Sequence, residues 1–162
     1  YEDYIELGKL TPSQEKLLRE VMSDEFLHSM PASGIGEQVA LAALDKVGCQ
    51  YSQDLRYEEG YYDCSSLVQR LYAEFGINLP SVASTQGQYI VDNGLQVSEN
   101  ELRPGDLIFH SRDTNAGEFM SIGHVAIYVG NGMQVDARGT AYGVVYRPLV
   151  PSNIGLYGRP CR

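Results

Sequence analysis

The stretch Gly123-His124-Val125-Ala126-Ile127-Tyr128-Val129-Gly130-Asn131-Gly132-Met133-Gln134-Val135-Asp136-Ala137 decides the fold. Val125, Ile127 and Val129 alternate with His124, Ala126 and Tyr128, the period of a strand with one apolar face. Past Asn131-Gly132, the apolar Met133, Val135 and Ala137 alternate with Gln134 and Asp136, so the stretch reads as a hairpin. The turn decides which residues meet. A plain two-residue turn pairs 130 with 133 and lays Ile127 opposite Asp136, burying a carboxylate on the apolar face. A three-residue loop, with Gly132 left-handed and a bulge, pairs 129 with 133 and sets 126 against 136. The hydrophobic pattern demands the second register. His124 and Asp136 then share a face, diagonal across neighbouring strands at ~7–8 Å, within side-chain reach.

Working outward, Leu107–His110, Val144–Arg147 and Leu156–Pro160 read as further strands joined by Gly-containing connections. Before Asn93-Gly94 the period changes. Ile35, Val39, Ala42, Ala43 and Val47 recur at helical spacing over 34–47, with Gly48 as the stop. A helix starting near Cys64 carries Leu67, Val68, Leu71, Tyr72 and Phe75 and ends at Gly76, and a short one covers 82–91. Residues 50–61 are polar, Tyr-rich and unperiodic, hence a loop. Helices first and an antiparallel sheet of five to six strands second make an α+β domain over 34–162. Residues 1–33 read as an N-terminal extension or linker, with a helix capped at Thr11-Pro12-Ser13-Gln14 and ended by Pro31.

The chain has 162 residues, 43% of them apolar, enough to bury a core as one domain. Its 21 acids against 12 bases, a net charge of −9, argue against nucleic acid or an anionic membrane as the main partner. No apolar run approaches the ~20 residues of a membrane span. It begins at Tyr1 and is expected to be a mature form or a piece of something longer. The three cysteines, Cys49, Cys64 and Cys161, form no C-x-x-C pair, so a zinc-ribbon or thioredoxin-like site lacks its residues.

Cys64 falls at the predicted N-terminus of an amphipathic helix, directly after Asp63. Free backbone N–H groups and the helix dipole there stabilise a thiolate, the reactive form of cysteine. The alternative is a small buried cysteine, and for Asp63 an ordinary helix N-cap. A cysteine nucleophile needs a base. Of His28, His110 and His124, the first lies in the extension and the second ends a strand as a cleft residue or a solvated end. His124 has Asp136 to orient it, the arrangement in which a carboxylate holds and charges an imidazole.

Three blocks, Asp63-Cys64-Ser65-Ser66-Leu67-Val68, Arg103-Pro104-Gly105-Asp106-Leu107-Ile108-Phe109 and Gly123-His124-Val125-Ala126-Ile127-Tyr128-Val129-Gly130, resemble the NlpC/P60 family of papain-like cysteine peptidases over about residues 35–160. The resemblance implies a papain-like fold with the catalytic cysteine at a helix N-terminus packed on the sheet. It implies enzymes that cut peptide stems of bacterial peptidoglycan, most often between γ-D-Glu and a diamino acid, outside the cell or at the wall. By it, Cys64 matches the nucleophile, His124 the base and Asp136 the third polar site. Tyr51, Asp63 and Ser65 match residues that bind the free amine of the leading L-Ala. No metal or other cofactor is implied. Ser66 stands where the family usually has Gly, Asp136 where His, Asn or Gln is usual, and the family's Tyr-x-Trp-Gly-Gly run is absent. An amide serves at the third site elsewhere in the family, so Asp136→Asn is expected to keep activity. The alternatives are an amidase or acyltransferase on the same fold, or a wall-binding module without catalysis. A disulfide between Cys49 and Cys161 is left open, as it would need an oxidising compartment and a short Cα–Cα distance.

Overall fold

The computed structural model describes residues 34–112 and 117–161. The helix expected in the extension, and His28 with it, lie outside these residues. Three α-helices come first among the described residues: α1 (Ile35–Asp45), α2 (Cys64–Ala73) and α3 (Ala83–Asp92). Two short strands, β1 (Gln50–Tyr51) and β2 (Tyr61–Tyr62), pair in parallel between α1 and α2. They close the ends of the segment whose lack of periodicity reads as loop. After α3 come β3 (Gln96–Val97), β4 (Leu107–Ser111), β5 (Ile122–Gly130), β6 (Met133–Gly139), β7 (Gly143–Pro148) and β8 (Ile154–Gly158). These form one six-stranded sheet in the order β3-β8-β4-β5-β6-β7, every neighbour antiparallel. The fold is α+β with the helices ahead of the sheet, as the sequence pattern requires.

The core lies between the helices and one face of the sheet. Val39, Ala43, Leu67, Leu71, Tyr72 and Ile90 from the helices join Leu107, Phe109, Val125, Ile127, Val135, Val144 and Leu156 in one cluster of buried side chains. In α1 the buried stripe runs through Val39, Ala40, Ala43 and Leu44, which leaves Ala42 half-buried. The other face of β5 is also covered: Ala126, and Ile108 opposite it, have no exposed surface.

The hairpin keeps the register that the hydrophobic pattern demands, by a different device. Ile127 pairs with Val135 and Tyr128 with Gln134. The turn itself, however, pairs Gly130 with Met133, with Asn131 (φ 54°) and Gly132 (φ 73°) both left-handed. This is the two-residue Asn-Gly turn the sequence argument set aside. An extra residue between Tyr128 and Gly130 restores the alternation immediately after it.

Helix α1 is locked to the Arg103-Pro104-Gly105-Asp106 turn by two glycines in contact. Gly105 has φ +93°, and a Cβ there would lie 2.3 Å from the Gly36 backbone. The turn is tied from the other side: Arg159 donates two hydrogen bonds to the buried Asp106 carboxylate, at 2.8 and 2.9 Å. The Tyr72 hydroxyl donates to the Gly105 carbonyl. Gly105→Ala therefore meets both a left-handed backbone and a backbone clash, and is expected to cost about 2–4 kcal/mol. Urea unfolding followed by circular dichroism would measure it. A midpoint equal to that of the parent would mean that α1 shifts freely.

Candidate active site

Helix α2 begins at Cys64 because Asp63 caps it. The Asp63 carboxylate accepts the Ser66 N–H at 2.8 Å, and the Ser66 hydroxyl accepts the Asp63 N–H at 2.9 Å, a complete capping box. Ser66 has no exposed surface and makes this box with its side chain. A glycine there could not. The cap fixes Cys64 at the first helical position, where the helix dipole and free N–H groups favour an anion.

The partner comes from the sheet. At His124 the chain is kinked by a bulge: His110 pairs with His124, but Ser111 pairs with Ile122, so Gly123 is an extra residue. The two residues flanking it can then face opposite ways. Ile122 enters the core beneath α3, while His124 points to the thiol. A second bulge lies on the other side of β4, where His110 pairs with Ile154 and Gly155 is extra. Bulges of this kind redirect side chains beside active sites.

His124 is buried and hydrogen-bonded to Cys64. Its Nε2 lies 2.8 Å from Asp136 Oδ2, which leaves Nδ1 for the thiol. Asp136 has no exposed surface, and its carboxylate holds more than the imidazole. Arg147 donates to it twice, from Nε at 3.0 Å and from a terminal nitrogen at 2.6 Å, and Gln134 donates to Oδ1 at 3.1 Å.

These contacts set the protonation states. Burial alone would raise Asp136, but His124 and Arg147 outweigh it and hold the carboxyl well below the usual range. Burial alone would lower His124, yet the bonds to Asp136 and Cys64 push it up to about 9. Burial would raise Cys64, but His124 and the Val125 backbone N–H outweigh it and bring the thiol below its ordinary value. The arrangement favours thiolate and imidazolium over thiol and imidazole, as one coupled pair.

The residues matched to amine binding are gathered nearby. Asp63, Cys64 and Ser65 line one cavity of about 240 Å³ with Gln53, Ser84 and Glu118. Tyr51 is half-buried. Burial raises its hydroxyl pKa first, and the negative charges of Cys64 and Asp63 raise it further. Asp63 is less available than its position suggests, because Arg56 Nε lies 3.0 Å from its Oδ2. Glu118, which accepts from the Ser84 hydroxyl at 3.0 Å, is a second carboxylate on this cavity. Nothing in its local sequence marks it. The three cysteines are not joined by disulfides.

Comparison with known proteins agrees with this fold. The NlpC/P60 family model matches residues 48–154. The chain belongs to the NlpC/P60 family. It is 35% identical over 113 residues to the "Bifunctional muramidase/DL-endopeptidase CwlT" of Bacillus subtilis, covering 70% of this chain and 32% of that protein. It is 33% identical over 88 residues to the "Gamma-D-glutamyl-L-lysine dipeptidyl-peptidase" of Bacillus cereus, covering 54% of this chain and 24% of that one. Among solved structures, NlpC2 from Trichomonas vaginalis superposes with a TM-score of 0.69 at 27% identity, covering 83% of this chain and 49% of that one. The chain thus spans about a quarter to a third of the length of these two curated relatives.

Two departures from the usual NlpC/P60 pattern have physical counterparts here. Ser66 completes the cap that sets Cys64. Asp136 comes with a guanidinium, and this changes what an amide could do in its place. Asparagine has one acceptor oxygen for two partners and turns an NH₂ toward a cation. Asp136→Asn is therefore expected to destabilise the fold by about 3 kcal/mol, because Arg147 is left half-paired. It is also expected to lower the alkaline limit of thiol reactivity. In the parent, iodoacetamide should trap Cys64 as a thiolate well below pH 9, through a plateau that changes as His124 deprotonates near 9. Chemical denaturation reads the first effect and alkylation rate against pH the second. An ordinary thiol profile with its midpoint near 9 in the parent would refute the ion pair.

Proposed function

We propose that the chain is a cysteine peptidase acting on peptide stems of bacterial peptidoglycan, at the bond between γ-D-Glu and the diamino acid. One observation carries the reading. Cys64, at a capped helix N-terminus, is hydrogen-bonded to His124, and His124 is held by a buried carboxylate. The names of the Bacillus subtilis and Bacillus cereus relatives, an endopeptidase and a γ-D-glutamyl-L-lysine peptidase, support the substrate class.

In this reading His124 holds the Cys64 proton and the thiolate attacks the amide carbonyl carbon. The oxyanion so formed lies against the start of α2, where the Cys64 N–H is a candidate donor. As the C–N bond breaks, His124 gives its proton to the leaving amine. Water, deprotonated by the now neutral His124, then opens the thioester and returns the thiol. Asp136 stays ionised throughout and keeps the ring oriented. No step calls for a metal.

The cavity on the Cys64 side fits the acyl half of such a stem. Asp63 and Glu118 supply charge for the free amine of L-Ala, and Tyr51 and Ser65 flank Asp63. The substrate amine competes with Arg56 for Asp63, which makes Glu118 the better placed of the two carboxylates. The chain is accordingly placed where stem peptides are exposed, outside the cell or at the wall. No helix among the described residues is long and apolar enough to cross a membrane.

Incubation of the protein with L-Ala-γ-D-Glu-L-Lys and its diaminopimelate counterpart, followed by mass spectrometry, tests this. The expected products are L-Ala-D-Glu and the free diamino acid. Cys64→Ser is expected to lose at least about 10³-fold in kcat while melting like the parent. Acetylating the L-Ala amine is expected to raise KM sharply. A parent whose Cys64 is alkylated no faster than a free thiol, and which cuts neither peptide, would instead be a binding module.

A further inference from the structure

Cys64 and His124 stand between two cavities of opposite charge. On the Cys64 side the walls carry Asp63 and Glu118. On the other side of His124 lies a cavity of about 150 Å³ walled by His110, Arg112, His124, Arg147, Ser152 and Asn153. Among the described residues no carboxylate lines it. In a chain of net charge −9, Arg112, Arg147 and the charged His124 around one small cavity, with the buried Asp136 behind the last two, are a local inversion of sign.

His110 adds a second, independent observation. It is 6% exposed, cross-strand from His124, with ring centres 5.9 Å apart. Its Nδ1 lies 3.0 Å from the Ser152 carbonyl, which can only accept, so the ring's Nδ1 carries a proton. Its Nε2 is buried with no hydrogen-bond partner. A buried polar atom left without a partner is costly and calls for an explanation. The sequence-level alternative of a solvated strand end does not hold.

The chemistry says what passes this way. The acyl group stays on Cys64, while the leaving nitrogen must reach His124 to collect its proton. The segment beyond the cleaved bond therefore leaves past His124, into the arginine-lined cavity. We propose that this cavity is a carboxylate-binding subsite for the leaving residue, with Arg112 and Arg147 as its cationic walls and His110 beneath. A carboxylate seated there meets guanidinium donors, and its charge opposes the burial and the neighbouring His124 and Arg147 charges that lower the His110 pKa, so that Nε2 can take up a proton and donate to it. The inference rests on the peptidase reading above. A free carboxylate on the leaving residue has two sources: the C-terminus of a short stem, or the side chain of diaminopimelate.

Four synthetic peptides separate these sources. Two are L-Ala-γ-D-Glu-L-Lys ending in a free acid or a carboxamide. Two are the diaminopimelate peptide with an amidated C-terminus and a side-chain carboxylate either free or amidated. A free carboxylate in at least one position is expected to lower KM by about tenfold, the size of one charge-assisted hydrogen bond. The position that does so names the source. R112Q and H110F are each expected to pull that KM ratio toward one. Equal KM for all four peptides overturns the subsite while leaving the peptidase reading intact, and so does a ratio unchanged in both variants. If none of the four is cut, the peptidase reading falls. Calorimetric binding of the same peptides to C64A then still reads the carboxylate preference, with equal affinities overturning the subsite.

Discussion

A single carboxylate with no contact with water organises this site. Asp136 has no exposed surface, and taking a lone carboxylate out of solvent is prohibitive unless it is fully paired. Its pairing is complete: an imidazole, a guanidinium in two-point contact and an amide donor. Each of those partners comes from a different place in the sheet or along the same strand. The charge can stay buried only if β5, β6 and β7 hold their register, and the register holds because their apolar residues fill the core. Electrostatics at the site and packing beneath it are thus one constraint. The thiolate on α2 is its furthest consequence, since it is stabilised by a ring that this carboxylate has charged.

The helix side contributes position more than charge. The cap of α2 fixes where Cys64 starts, and Gly36 against Gly105 fixes α1 against the turn that leads into β4. Arg159 on Asp106 closes the same turn. Neither the Asp106–Arg159 pair nor the α1 contact touches the reacting atoms. Together they set the spacing between helices and sheet. The hydrogen bond between His124 and Cys64 depends on that spacing to within a few tenths of an ångström.

Much of this was legible in the sequence, for physical reasons. Alternation along 124–137 fixes the strand faces, and burial of Asp136 on the wrong face is costly enough to reject one register outright. The alternation alone sets His124 and Asp136 on one face, where they meet at 2.8 Å. The three-residue loop was the wrong device, because a two-residue turn followed by a bulge gives the same alternation as a longer loop, and side-chain pattern cannot separate them. Arg147 was missed although the same diagonal rule reaches it: its neighbour on β6 is Gln134, two residues from Asp136. An arginine near the end of a strand reads as solvated, and only its two-point contact with the buried carboxylate says otherwise. Glu118 was hidden, and His110 stood open between a cleft residue and a solvated end, for a related reason. Their roles depend on how a loop and a strand end fold over the sheet, which no period encodes.

The extra residues at Gly123 and Gly155 bear on how the domain can change in length. In regular pairing, residues two apart face the same way. Only the unpaired glycine lets Ile122 enter the core while His124 meets the thiol. The connection from β4 to β5 carries Arg112 and Glu118, which line the two cavities, so its two ends are held to the site. Losing the residue at 123 would turn Ile122, the one strand residue ahead of it, out of the core. A change of one residue at Gly123 is thus a change of facing and not of length, so related sequences should keep a fixed number of residues from Gly123 through His124 to Asp136.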